Sequence, residues 1–293
     1  MPNITGDGNF PLFHKVFSAP PEVLSFSALN IFLSITASLG NALILIALHK
    51  VSSIYPPTKL FLRCLAVTDL CVGLLVQPFY ATFLLSGIRE VSKNVVNVLS
   101  WILCGVSLLT SAAISVDRLL ALLLRLRYRH VVTLKRVRVF VICFWVIGAS
   151  LGSIRWWRED ITFMLASIVL TLSLLTSIFC YTTIFFRLRH QQVQVQNHVL
   201  QGQANGGGIP LNIARFKKTV SSVLWVQLAL VVCYVPFGIL VVLNLNGIGS
   251  DVSLLVTNTL VFLNSSLNPI LYCWKIREVK QVVKDTIRQL YCF

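Results

Sequence analysis

Charged residues divide this chain into long uncharged, apolar stretches. Glu22 to Lys50 encloses the first, and Arg63 to Arg89 the second, interrupted only by Asp69. Lys93 to Asp117 bounds a third, and Arg138 to Arg155 a fourth, which is the shortest. Asp160 to Arg187, Lys218 to Asp251 and Asp251 to Lys275 bound the fifth, sixth and seventh. A helix needs about 20 mostly apolar residues to cross a bilayer. The pattern therefore predicts an all-α membrane protein, a seven-transmembrane helix bundle over residues 23–275, preceded by a polar tail at 1–22. Past the bundle, Ile276, Val279, Val283, Ile287 and Leu290 fall on one helical face, with Arg277, Lys280, Lys284 and Arg288 largely off it. Residues 276–293 thus predict a short amphipathic helix lying on the anionic inner leaflet. Gln191 to Pro210 is Gln-rich, holds Gly206-Gly207-Gly208, and reads as a flexible linker.

Composition agrees with the pattern. Hydrophobic residues make up 56% of the 293 and charged residues only 12%, against about 25% charged in soluble domains. The net charge of +15 could suggest nucleic acid, but its distribution argues against it. With the N-terminus outside, Lys and Arg gather in the inner segments: Lys50 to Arg63, Arg118 to Arg138, Arg187 to Lys218 and Lys275 to Arg288. The outer side carries only Lys15, Arg89, Lys93, Arg155 and Arg158. That asymmetry predicts the N-terminus outside and the C-terminus inside, which is an extracellular N-terminus for a plasma-membrane protein, with membrane lipids as surroundings and no nucleic-acid partner. Residues 1–22 show no apolar signal-peptide core, so the first span is expected to target the chain. The cysteines show no C-x-x-C spacing, and the five histidines lie at membrane edges or beyond. No metal finger or catalytic triad is indicated, and no enzyme is expected. Asn3-Ile4-Thr5 is an outer-side glycosylation sequon. Cys292 follows the amphipathic helix and can take palmitate or remain a tail thiol. Trp156-Trp157 reads as an interfacial aromatic belt, or as a lid over a ligand.

Charge inside a bilayer costs roughly 2.5–3.5 kcal/mol on insertion scales and usually marks function. Asp69 is such a residue, and Asp117-Arg118 sits at the inner end of span three. These join further motifs in a fixed order. Gly40-Asn41 lies in span one, and Leu65-Ala66-Val67-Thr68-Asp69 in span two, after Pro57-Thr58. Span three ends Ser115-Val116-Asp117-Arg118-Leu119; Trp145 lies in span four and Tyr181 near the inner end of span five. Span six carries Cys233-Tyr234-Val235-Pro236, and span seven runs from Asn264 to Tyr272 through Asn268-Pro269. In this order, from about residue 25 to 290, the chain resembles the rhodopsin-like (class A) G-protein-coupled receptors. The resemblance implies an extracellular ligand, a heterotrimeric G protein inside and arrestin as a further partner. It implies no cofactor beyond an allosteric sodium ion held by Asp69, Ser107, Asn264, Ser265 and Asn268. All of these offer oxygen to a hard cation, although a hydrogen-bonded network without an ion would also satisfy them. It further implies that Asp117 holds Arg118 at rest and that Tyr181 and Tyr272 reach Arg118 in the active state. Pro236 kinks helix six as a pivot, within an activation set completed by Tyr234, Asn268 and Pro269. Leu126, in Arg125-Leu126-Arg127-Tyr128, matches the inner-loop residue that plugs into the G protein; the alternative is helix packing.

Departures from the family pattern narrow the ligand. The usual helix-three cysteine is Lys93, the outer loops hold no Cys, and the second outer loop (Arg155 to Asp160) is very short. Melanocortin, lysophospholipid and cannabinoid receptors share the missing bridge, but Phe79, Lys93 and Asn97 replace the acids that melanocortin receptors use. Ser173, Tyr234 and Leu230 replace the helix-five proline, the toggle Trp and the helix-six Phe. Ser100 replaces the acid of amine receptors and Phe262 the retinal lysine. The implied pocket is Ser100, Trp101, Cys104, Leu165, Val169, Phe237, Val241, Asn258 and Phe262, mostly apolar. It suits a small neutral or lipid-like ligand, or is an apolar core holding none. Two rival functions are a ligand-independent receptor-like scaffold, suggested by those same substitutions, and a transporter, for which the inverted repeats are missing.

Overall fold

In the computed structural model, residues 20–86, 90–200, 225, 228–243, 250–275 and 277–291 are described. Asn3 with the rest of residues 1–19, Cys292 and most of the third inner loop lie outside them. Among the described residues the chain is helical, without strands. Helix α1 is Pro21–Lys50. Helix α2 runs Pro56–Cys71, a π-turn Val72–Val76, then Gln77–Ser86. Next come α3 (Glu90–Leu124), α4 (Leu134–Trp157) and α5 (Glu159–Leu200). The described part of α6 is Leu228–Leu243; α7 is Asp251–Lys275 and α8 is Arg277–Tyr291. Six of these helices are long and apolar enough to cross a membrane, and α6 contributes a shorter apolar stretch.

Local chemistry sets the boundaries. Prolines at the first turns of α1 and α2 cost no hydrogen bond there. Thr133 caps α4, its Oγ1 accepting from the Arg136 N–H at 3.5 Å. Ser250 caps α7 in the same way, accepting from the Ser253 N–H at 3.2 Å. The π-turn has a covalent cause. Gln77 N–H donates to the Val72 carbonyl five residues back, and Pro78, having no N–H, cannot continue that register to Gly73. The Gly73 carbonyl instead accepts from Ser34 Oγ of α1 at 2.7 Å.

The packing is inverted relative to a water-soluble domain. Ile142, Phe179, Leu172 and Val146 of α4 and α5 point outward, exposed. Asn41, Thr68, Asp69, Gln77, Thr110 and Ser115 are buried between helices. An apolar girdle around a polar interior is stable only in hydrocarbon. Glycine allows close approach: a Cβ on Gly40 would sit 2.8 Å from Pro269 Cγ, so α1 and α7 touch backbone to ring.

Three sequence expectations are modified. The fourth span is a full helix, because Leu134 to Arg138 and Trp156-Trp157 extend it at both ends. The segment from Gln191 continues α5 to Leu200 instead of beginning a linker, since it contains no Gly or Pro before Gly202 to break the helix. Helix α8 does not offer its whole apolar face to lipid: Val279 and Val283 are buried in a cluster with Ile44, Leu48 and Phe61. The second outer loop is as short as expected, with Arg158 alone between α4 and α5.

Candidate functional site

Asp69 is fully buried where α2, α3 and α7 meet. Oδ1 accepts from Ser265 Oγ at 2.8 Å and Ser107 Oγ at 3.1 Å, and Oδ2 accepts from Asn268 Nδ2 at 2.7 Å. Asn41 braces this group from α1, donating to the carbonyls of Ser265 (3.0 Å) and Ala37 (2.9 Å). Asn264 donates from the same turn of α7 to the Tyr234 hydroxyl of α6 at 3.4 Å. Among the described residues no cationic side chain pairs with Asp69. The carboxylate and the Ser107 and Ser265 hydroxyls offer oxygen to a hard monovalent cation, whereas Asn268 faces Asp69 with its Nδ2 and would join them only by turning its Oδ1 inward. Asn264 and Asn268 also line a cavity of about 30 Å³, which reaches inward past Ser111 and Leu230 to Tyr181 and Tyr272. That is room for a water on the inner side of Asn268; Asp69, Ser107 and Ser265 do not line it. Of the expected cation set, Ser107, Ser265 and Asn268 thus bond to Asp69, while Asn264, one turn away on α7, bonds to Tyr234 instead.

At the inner end, Arg118 Nη2 lies 3.3 Å from Asp117 Oδ2; the Arg118 side chain is 36% exposed and that of Asp117 only 2%. The carboxylate is held from two further sides. Thr58 Oγ1 donates to Oδ2 at 2.9 Å, and the Tyr128 hydroxyl donates to Oδ1 at 2.6 Å. Tyr55 meets Tyr128 at a tilt of 55°, with ring centroids 5.4 Å apart, and donates to the Val132 carbonyl at 2.8 Å. Thr58 and Tyr128 therefore belong to the Arg118 clamp, although sequence reasoning gave them no role. The available signal was hydroxyl-bearing side chains on the two segments that flank the Asp-Arg pair. Tyr181, 4% exposed, and Tyr272 share the cavity with each other. Leu126 stands apart at 92% exposure, on a 3-10 turn whose first residue, Arg125, has φ 44°. A left-handed conformation is uncommon for a non-glycine residue, and here it turns the chain out of α3. Among the described residues Leu126 is thus almost wholly exposed, which gives no support to the helix-packing alternative.

The outer residues divide. Trp101 meets Phe163 edge-on (5.5 Å) and Phe237 (5.9 Å), joining α3, α5 and α6. Cys104, Phe237 and Phe262 pack in one apolar cluster with Tyr80 and Tyr234, and Val241 is buried. Phe262 meets Tyr80 edge-on at 5.3 Å, and Asn258 Nδ2 donates to the Tyr80 hydroxyl at 3.4 Å. Ser100 donates to the Val96 carbonyl at 2.7 Å, within its own helix. Leu165, 38% exposed, and Val169 lie outside that cluster. Pro236 falls inside α6 and Pro269 inside α7.

The chain matches the family model for the 7 transmembrane receptor (rhodopsin family) over residues 40–156 and 151–272. It is 29% identical to the histamine H2 receptor of Cavia porcellus, covering 98% of this chain and 84% of that receptor. It is 30% identical to the histamine H2 receptor of Rattus norvegicus over 80% of this chain and 71% of that one. It is 26% identical to the adenosine receptor A3 of Ovis aries over 88% of each.

Proposed function

The chain belongs to the rhodopsin family of seven-transmembrane receptors, and on that premise we propose that an outer ligand signals to a G protein by releasing the Arg118 clamp. As a member it is a multi-pass membrane receptor coupling to G proteins, not an enzyme. In the proposed cycle the N-terminus faces outward and α6 swings about Pro236. The swing opens the inner face, so that Arg118 leaves Asp117 for Tyr181 and Tyr272, and Leu126 meets the G protein. Arrestin would use the same opened face. A ligand drives this only through unequal affinity for the closed and open forms. The observation that carries the reading is the half-exposed Arg118, held by a carboxylate that Thr58 and Tyr128 fix in place.

We propose further that Asp69, with Ser107, Asn264, Ser265 and Asn268, holds sodium in the closed form. The ion would supply a positive charge that ties α2, α3 and α7 together. The outer ligand is proposed to be small and neutral or lipid-like. Ser100 carries no charge to pair with an ammonium group, although relatives are named for histamine. The walls supplied by Trp101, Phe237 and Phe262 are apolar, with Asn258 and Tyr80 as the polar handle. A ligand-independent scaffold is the second reading, favoured by Ser173, Tyr234 and Leu230 standing, all buried, where the family carries its proline, toggle Trp and Phe.

The test is nucleotide exchange on a promiscuous G protein during a ligand-library screen, with Arg118→Ala in parallel. The expected result is ligand-dependent exchange in the wild type and its loss in the variant at equal surface expression. Normal coupling by Arg118→Ala removes the clamp assignment, and constitutive, ligand-insensitive exchange favours the scaffold.

A further inference from the structure

Two amide side chains in the outer half of the bundle are fully buried and short of partners. Gln77 of α2 has neither its Oε1 nor its Nε2 hydrogen-bonded. Asn30 of α1 donates through Nδ2 to the Phe26 carbonyl at 2.8 Å and to Thr259 Oγ1 of α7 at 3.0 Å, but its Oδ1 has no donor. Neither belongs to the Asp69 pocket or the Arg118 clamp.

The helix register brings them to one level. Ser34 Oγ donates to the Gly73 carbonyl at 2.7 Å, and a Cβ on Gly73 would lie 2.8 Å from Ser38 Oγ. Gly73 therefore faces α1 at the turn between Ser34 and Ser38. Helices α1 and α2 are antiparallel. One turn outward from Gly73 along α2 is Gln77, and one turn outward from Ser34 along α1 is Asn30, each about 6 Å further on. The register thus sets Gln77 one turn along α2 from Gly73 and Asn30 one turn along α1 from Ser34, so the unpartnered amide atoms lie on facing turns of α1 and α2, with Asn30 also bonded to α7.

We infer that Gln77, Asn30 and Ser34 form an internal water-binding site joining the outer halves of α1, α2 and α7. The chemistry selects a neutral, water-sized ligand. The groups carry no net charge, and they present both acceptors (Asn30 Oδ1, Gln77 Oε1, Ser34 Oγ) and a donor (Gln77 Nε2). A water donates to two of the acceptors and accepts from Gln77 Nε2, about the number of bonds that buried waters make. Without it two amides stay desolvated and unpaired, which is costly. The site is independent of the signalling cycle proposed above. It does adjoin the Tyr80–Asn258 pair, since Asn258 precedes Thr259 and Tyr80 lies one turn beyond Gln77.

The test uses the full chain in lipid nanodiscs. Millisecond X-ray radiolysis generates hydroxyl radicals from bound water and marks the side chains beside it. Val76 (0% exposed) and Tyr80 (8% exposed) are expected to be oxidised in the wild type despite their burial, and to lose that labelling in Gln77→Met. The Tm of Gln77→Met, which keeps side-chain length but removes both polar atoms, is expected to fall. The double variant Asn30→Leu/Gln77→Met is expected to recover most of the loss, because no orphaned amide remains. Wild-type labelling no higher than in the double variant, or a Gln77→Met protein as stable as wild type, overturns the assignment. Buried Val76 and Tyr80 left unoxidised in the wild type overturn the assignment even if a variant fails to fold.

Discussion

Truncating Leu126 separates a docking residue from a packing residue, because the structure assigns it no internal burial at all. At 92% exposure its side chain loses almost nothing to water when the receptor folds. The whole transfer free energy of its isopropyl group remains to be gained on contact with a partner. Each buried methylene is worth about 0.8 kcal/mol, so Leu126→Ala forfeits about 2 kcal/mol if the residue inserts into a G-protein socket. That corresponds to about a 30-fold weaker apparent affinity. The assay is nucleotide exchange against heterotrimer concentration, with receptor Tm measured on the same preparations. The half-saturating concentration should rise by that factor while the Tm stays unchanged, and Leu126→Met should restore most of the affinity. A lower Tm with unaltered half-saturation would refute the reasoning, since it would mean that Leu126 acts within the receptor.

Other perturbations probe the remaining links. Gly40→Ala places a Cβ 2.8–2.9 Å from the Pro269 ring; overpacking costs about 1–3 kcal/mol, outweighing a helix-propensity gain of about 1 kcal/mol. Its Tm in nanodiscs should drop by several degrees, and an unchanged or higher Tm would show the contact to be slack. Replacing N-methylglucamine by sodium should lower basal exchange several-fold in the wild type and leave Asp69→Asn indifferent, because the variant lacks the charge that draws the ion. A sodium effect of equal size in both proteins would remove Asp69 from the cation site.

The bundle was legible because charge placement and apolar run length are covalent features that a bilayer reads directly. Asp69 was legible for a related reason, as an acid in hydrocarbon; its partners Ser107, Ser265 and Asn268 were legible only through the family resemblance. Thr58 and Tyr128 were not, because they converge on Asp117 from the start of α2 and from the turn beyond α3, segments far apart in sequence. Gln77 and Asn30 interrupt apolar runs much as Asp69 does, yet a neutral amide interrupts them less conspicuously than a charge. The helical course of α5 beyond Gln191 was missed because the Gln-rich composition and the glycines further on obscured an uninterrupted helical segment. Asn3 and Cys292 lie outside the described residues.

The most direct measurement of the central claim is the distance between the inner ends of α4 and helix six. Spin-labelled noncanonical residues at Lys135 and Trp225, both exposed, avoid the chain's eight cysteines. Pulsed electron resonance would compare the receptor in nanodiscs alone and with excess nucleotide-free heterotrimers of each Gα class. A second, longer distance in the presence of at least one class, absent in Arg118→Ala, is the predicted result. A single distance that no heterotrimer lengthens would contradict the opening of this bundle as its mode of signalling.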